Sequence, residues 1–304
     1  MADYPDMGAD LSGALLALLD LERIDTDLYR SVPKPGGKGR AFGGQVVAQA
    51  LMAAQRSIDA PSAVHSMHAY FMRGGKEAQP ITFRVERDFE GTSFANRRVT
   101  AMQDGIAILT LAASLQTPEA GMEHAAPMPD VPPPDQVAPI GEQAKRYADF
   151  PQAAIDFLSK PSAFDLRPVG TPAFMQRKPD APRSHVWIRW RGAVPGDAAM
   201  RRGVLAYVSD YALLSASLIP HGVTMFDHSM QTASLDHAIW FHDDVPLDDW
   251  LLYSSGSPWA GHGRGLAHGV VHTRDGRMIA HTTQEGLIRM RPDLAPKTTV
   301  PHLP

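Results

Sequence analysis

The 304-residue sequence contains no cysteine. That excludes disulfides, thiolate metal sites and a cysteine nucleophile together, and it suits a reducing compartment. Charge is sparse: charged residues make up 20% of the chain and the formal net charge is −4. No basic run or interleaved aromatic stripe is present, so nucleic acid is not an expected partner. Long hydrophobic runs are missing as well. Met1 to Asp10 is acidic where a secretory leader is basic, and the apolar stretch Leu15 to Leu19 is closed by Asp20 and Glu22. That stretch is too short to span a membrane, and Asp10 or Ser12 can instead cap an amphipathic helix there. The terminal Pro301-His302-Leu303-Pro304 is not a Ser-Lys-Leu address. A cytoplasmic chain without a membrane span is the expectation.

Several catalytic signatures are also lacking. Gly91-Thr92-Ser93-Phe94 runs on into Ala95, so no Gly-x-Ser-x-Gly elbow forms. There is no His-Glu-x-x-His. His268 and His272 fall on an expected strand, where four residues separate side chains by about 13 Å, too far to share a metal ion. The glycines at 261, 263 and 265 do not sit between a strand and a helix, as a phosphate loop requires. No metal ion or other cofactor is implied.

What is present fits a soluble globular protein of one large or two ordinary domains, with 44% hydrophobic residues. Pro33 to Gly39 is a Gly-rich loop, and Phe42-Gly43-Gly44-Gln45 opens a helix running to about Ser57. Its small residues Ala48, Ala50, Ala53 and Ala54 suit close packing on a sheet. Strand-like runs follow at 64–72, 81–89, 93–103 and 106–116, the last two joined by Asp104-Gly105, a strong hairpin signal. Residues 117–183 change character. Six prolines between Pro127 and Pro139 exclude a central strand there, which leaves a connector with one short helix near 140–158.

From 184 the first pattern returns: a strand, a helix, more strands, and an Asp275-Gly276 hairpin. His68-Ala69-Tyr70-Phe71 is echoed by His237-Ala238-Ile239-Trp240-Phe241. The sequence therefore reads as a duplicated α+β unit, an N-terminal one over 1–116 and a C-terminal one over 184–304. In each, a helix is wrapped by an antiparallel sheet, the hotdog arrangement, so the pair makes a double hotdog.

The C-terminal unit carries the candidate chemistry. Tyr207 to Leu214 reads as helix, with Val204, Tyr207, Val208, Tyr211 and Leu218 on an apolar face and Asp210 on its flank. Pro220-His221-Gly222 stops it. A single strand is expected over 230–242, with Ser234 and Asp236 on one face and His237 on the other. Gln284 lies in an apolar-rich strand, where a neutral amide needs partners. Taken alone, Asp210 and Gln284 each read more readily as structural than as catalytic.

The chain resembles the acyl-CoA thioesterase II family, nearly end to end. The resemblance is carried by Phe42-Gly43-Gly44-Gln45 through Leu51, Val64-His65-Ser66-Met67-His68-Ala69-Tyr70-Phe71, Gly91-Thr92-Ser93-Phe94 and Arg97-Arg98-Val99. In the second half it rests on Tyr207-Val208-Ser209-Asp210, Leu235 to His242, Trp250-Leu251-Leu252-Tyr253 and Thr283-Gln284-Glu285-Gly286. It implies hydrolysis of acyl-CoA to free fatty acid and CoA by a water held on Asp210, Ser234 and Gln284. Ser234 stands where many relatives carry Thr. One active site per chain is implied, with His65 as a secondary candidate that reads equally as a core histidine.

Gly43 and Gly44 are candidates for the oxyanion and substrate, or simply for helix–sheet packing. Lys34, Lys38 and Arg40 would meet the CoA phosphates, unless they only line a solvated loop. Alternatives are a non-catalytic acyl-CoA or acyl-carrier binding protein and a hotdog hydratase. The hydratase pattern wants His five residues after the Asp, and Ser215 stands there. Exposed sheet edges predict a homo-oligomer, a dimer or tetramer.

Overall fold

In the computed structural model, residues 10–33, 37–59, 61–146, 152–291 and 293 are described. The chain opens with α1 (Leu11–Leu19), whose N-cap Asp10 accepts a hydrogen bond from the Gly13 N–H. Short strands β1 (Glu22–Asp25) and β2 (Leu28–Arg30) lead to α2 (Gly43–Gln55). Four long strands follow, β3 (Ala63–Phe71), β4 (Thr82–Glu90), β5 (Phe94–Gln103) and β6 (Ile106–Gln116). Next come α3 (Ile140–Ala144), α4 (Gln152–Leu158), β7 (Phe164–Val169) and β8 (Arg183–Trp190). After α5 (Ala198–Ser209), the chain ends in β9 (Met230–Ser234), β10 (Asp236–Phe241), β11 (Leu251–Gly261), β12 (Arg264–Thr273) and β13 (Met278–Met290).

All these strands join one antiparallel sheet, in the order β1-β2-β4-β5-β6-β3-β10-β13-β12-β11-β8-β7, with β9 beside β13. Asp104 and Gly105 take φ 51° and 75°, as a two-residue hairpin requires, and Gly276 takes φ 94°. His262 and Gly263, at φ 51° and 73°, make a further reversal between β11 and β12 that no Asp-Gly pair announces.

The seam between the halves is the β3–β10 pair, with His68 opposite Ala238 and Ala69 opposite His237. The two echoed sequence segments thus lie side by side. On either side of the seam the strands run outward in matching order, β6-β5-β4 and β13-β12-β11. Helix α2 packs on β3 to β6, and its Ala48, Ala50, Ala53 and Ala54 are fully buried, so small side chains do bring helix and sheet together. Helix α5 lies beside α2, and the tight-turned segment Leu213–Ser217 continues beneath β11, β12 and β13. The stretch Ala198–His221 is long and apolar enough to cross a membrane by composition, but it is mostly buried inside this core.

Three elements depart from the sequence reading. The helix carrying Asp210 is not continuous through Leu214: α5 ends at Ser209, Asp210 is its C-cap, and Ala212 leaves helical geometry at φ −148°. The strand expected over 230–242 breaks at Leu235. There the Leu235 N–H bonds the Glu285 carbonyl and its own carbonyl accepts from Phe71, so β9 and β10 pair with different parts of β13. Finally, residues 117–183 hold two short helices and β7 rather than one helix. Strand β7 contains Pro168, tolerated because β7 is the sheet edge and one of its sides needs no donor.

Candidate active site

Asp210 sits where the C-terminus of α5 meets the N-terminus of α2. The N-cap of α2 is Phe42, whose side chain cannot cap. The carboxylate of Asp210 takes over, accepting a hydrogen bond from the Gly44 N–H. Only glycine permits the approach. A Cβ on Gly43 would lie 2.7 Å from Asp210 Oδ2, and one on Gly44 would lie 2.4 Å from the Tyr207 carbonyl. The Gly44 N–H, expected from the sequence to face an oxyanion, is therefore already committed to the carboxylate.

Asp210 Oδ1 faces the sheet. Gln284 Nε2 donates to it, and the Ser234 hydroxyl donates to it at 3.4 Å. Gln284 Nε2 also reaches Ser234 Oγ at 3.1 Å. The ionised carboxylate fixes the amide's orientation, since the flipped amide would set two acceptors against each other. Among the described residues, Gln284 Oε1 is then buried without a hydrogen-bond partner. The three residues come from the C-cap of α5, from β9 and from β13, and the fold brings them within hydrogen-bonding distance of one another.

Burial dominates the electrostatics. The Asp210 side chain is 4% exposed, and desolvation lifts its pKa from 3.8 to about 6 against the opposing pull of Gln284, the Gly44 N–H and Ser234. His237 lies at the same junction, with Nδ1 4.0 Å from Asp210 Oδ1 and Nε2 2.9 Å from Ser209 Oγ. The Ser209 hydroxyl donates to the Ala206 carbonyl, so His237 must be the donor at Nε2, and Nδ1 carries a lone pair. Complete burial lowers its pKa to about 4, so this contact is no ion pair at neutral pH. Tyr253 closes the far side, bonding the Ser209 carbonyl at 3.0 Å and Thr282 Oγ1 at 2.7 Å.

The other sequence candidates fall elsewhere. The break at Leu235 reverses the expected faces: Ser234 and His237 turn toward Asp210, whereas Asp236 pairs with His68 at 2.9 Å across the seam. His65 bonds Ser114 Oγ at 2.9 Å and packs on Phe94, and it is not among the partners of Asp210. Lys34 lies outside the described residues. Lys38 and Arg40 are exposed on the segment entering α2, and Arg40 pairs by its backbone with Lys76. Sequence reasoning missed His237, because strict alternation put it on the far face of a strand that in fact breaks at Leu235.

Comparison with known proteins adds independent findings. Residues 32–116 match the model of the acyl-CoA thioesterase N-terminal domain, and residues 123–288 match that of the C-terminal domain. The chain is 38% identical to acyl-coenzyme A thioesterase 8 of Mus musculus, over 97% of this chain and 95% of that protein. It is similar to the crystal structure of an acyl-CoA thioesterase II, TesB2, from Mycobacterium marinum. That likeness has a TM-score of 0.76 and 36% identity, covering 92% of this chain and 99% of the other. A protein from Alicyclobacillus acidocaldarius described as having a hot dog fold aligns with a TM-score of 0.73 at 21% identity, covering 91% and 98% of the two chains.

The buried carboxylate should cost stability in a pH-dependent way. Because the folded state raises the Asp210 pKa, the penalty is absent below about pH 4, grows between pH 4 and 6, and is complete above about pH 6. Its full size is on the order of 3 kcal/mol. Asp210→Asn should therefore match the parent's stability at pH 4 and exceed it at pH 7.5, measured by urea unfolding. Gly44→Ala should do the opposite, destabilising at both pH values by forcing the two helix ends apart.

Proposed function

The chain belongs to the acyl-CoA thioesterase family, and on that premise we propose that it hydrolyses acyl-CoA through a single water held by Asp210 and Gln284. The observation that carries this reading is a buried carboxylate with a pKa of about 6 beside an amide oxygen with no protein partner. One water can give one hydrogen to Asp210 and the other to Gln284 Oε1. Both hydrogens are then fixed, and a lone pair is left for the thioester carbon. Ser234, which donates to Asp210 and accepts from Gln284, holds the two acceptors in register.

In the reaction, Asp210 removes a proton as the water oxygen bonds to the carbonyl carbon. The tetrahedral species collapses by breaking the C–S bond. The proton held by Asp210 passes to the departing thiolate, giving CoA thiol and a free fatty acid and restoring the carboxylate. A carboxyl of ordinary pKa is a poor base at neutral pH, and burial makes this one stronger by about two decades. We assign polarisation of the carbonyl to the N–H of Gly43 in the first turn of α2, since that of Gly44 serves Asp210. His237 stays neutral and holds Ser209, the residue next to the base, in place. Lys34, Lys38 and Arg40, on the loop entering α2, are proposed to meet the CoA phosphates.

Asp210→Asn should lower kcat by roughly 10²–10⁴ in a free-thiol assay, and Gln284→Ala should lower it as well. In the double variant the second substitution should add little, because both residues act on one water. A folded Asp210→Asn enzyme working at the parental rate would overturn the assignment. Replacing Lys34, Lys38 and Arg40 together with Ala should raise KM more than it lowers kcat. An unchanged KM would remove those cations from the substrate site.

A further inference from the structure

The hydrolytic step leaves one edge of His237 unused. The ring is fully buried on β10, where Nε2 donates to Ser209 Oγ at 2.9 Å and that hydroxyl donates to the Ala206 carbonyl. Orientation and tautomer are thereby fixed. Nδ1 is left with a lone pair that has no hydrogen-bond partner among the described residues, 4.0 Å from Asp210 Oδ1. A buried acceptor without a partner is costly, and the carboxylate it faces has no hydrogen to offer. The mismatch ends once Asp210 takes up a proton, because a carboxylic acid can donate. Gln284 and Ser234 can keep their bonds to Oδ1 meanwhile, since an oxygen that bears hydrogen still accepts. A turn of the carboxyl that closes the gap by about 1 Å completes an O–H···N bond.

No other group around the carboxyl offers this. Helix α2 and strand β9 carry no charged side chain. Tyr253 of β11 spends its hydroxyl on the Ser209 carbonyl and Thr282. Tyr207 and Tyr211 turn to Phe42. Glu285, next to Gln284, lies 3.6 Å from Arg264, and the Asp236–His68 pair, 2.9 Å apart, sits across the seam.

We propose that His237 is a positioning residue for proton transfer, its Nδ1 accepting a hydrogen bond from the Asp210 carboxyl once Asp210 has taken the water's proton. The proposal rests on Asp210 being the base. In that step an O–H bond of the water breaks, the water oxygen bonds the thioester carbon, and the hydrogen forms an O–H bond on Asp210. The hydrogen then turns toward Nδ1 without leaving the carboxyl. The imidazole stays neutral throughout, because complete burial disfavours its cation. When the C–S bond breaks, the hydrogen moves to sulfur and the carboxylate returns. A carboxylate and a lone pair repel, whereas a carboxylic acid and a lone pair attract. His237 thus favours the protonated Asp210 through which hydrolysis must pass.

Two substitutions separate the two edges of the ring. His237→Gln places an amide N–H near the position of Nε2, keeping the bond to Ser209 and losing the acceptor at Nδ1. His237→Asn does the reverse, with an amide oxygen near the position of Nδ1 and no reach to Ser209. In His237→Gln the acid limb of kcat/KM, followed by free-thiol release, should move down by about one pH unit, and the plateau should fall roughly tenfold. The sign follows because the lost bond stabilised only the protonated carboxyl. His237→Asn should keep the parental limb, whatever its rate, whereas a residue that merely held Ser209 would show the opposite pattern. Nitrogen-15 NMR of the parent, with His237 assigned through the backbone, gives a reading for which no variant has to fold. Nδ1 should be unprotonated at pH 7.5, and its resonance should move with the midpoint of the acid limb. Three results would overturn the proposal: Nδ1 protonated or unresponsive in the parent, a folded His237→Gln with the parental limb, or limbs moved equally by both substitutions. None of these touches the assignment of the base, which falls only if a folded Asp210→Asn enzyme keeps the parental rate.

Discussion

The hydrogen bond from the Gly44 N–H to the Asp210 carboxylate is the contact on which the rest of the site depends. It joins the start of a helix in the first half of the chain to the end of a helix in the second. Neither half can make it alone. Phe42 leaves α2 without a side-chain cap, and α5 ends with a carboxylate pointing out of its last turn. The β3–β10 seam holds the two halves in the register that brings these ends together. One residue is thus at once a helix cap and the proposed base, and the structural and catalytic readings of Asp210 do not compete.

The balance of forces at that point is unfavourable to stability and favourable to chemistry. Three donors stabilise the carboxylate, yet desolvation outweighs them and the pKa rises. Remaining in water would be cheaper for the ion by a few kcal/mol. On the proposed assignment, what the fold gains is a base whose strength suits neutral pH and whose orientation is set from two sides. The neutral His237 beside it follows the same logic: a second charge in that volume would cost more than the imidazole can recover.

Much of this arrangement was legible in the sequence wherever the signal was local. The Asp104-Gly105 and Asp275-Gly276 pairs located two hairpins, and β6 runs over the range its pattern predicts, Ile106–Gln116. The echo of His68-Ala69 in His237-Ala238 pointed to duplication. Features set by long-range contacts were not legible. The break at Leu235 arises because one residue bonds both β13 and the end of β3, and it inverts the faces of Asp236 and His237. The end of α5 at Ser209 is not encoded by a helix breaker; it follows from what Asp210 meets across the core. Even the resemblance that paired Asp210 with Ser234 and Gln284 gave no hint that Gly44 spends its N–H on the carboxylate.

The central claim is that Asp210 is a buried carboxylate whose raised pKa makes it the base. Carbon-13 NMR of aspartate-labelled protein, with the Asp210 resonance identified by its loss in Asp210→Asn, reads that pKa directly. The account predicts a midpoint near 6, coincident with the rising limb of kcat/KM against pH, because only the ionised form can accept the water's proton. An Asp210 carboxyl titrating at or below the usual carboxylate range, with a kcat/KM limb that does not follow it, would contradict the account.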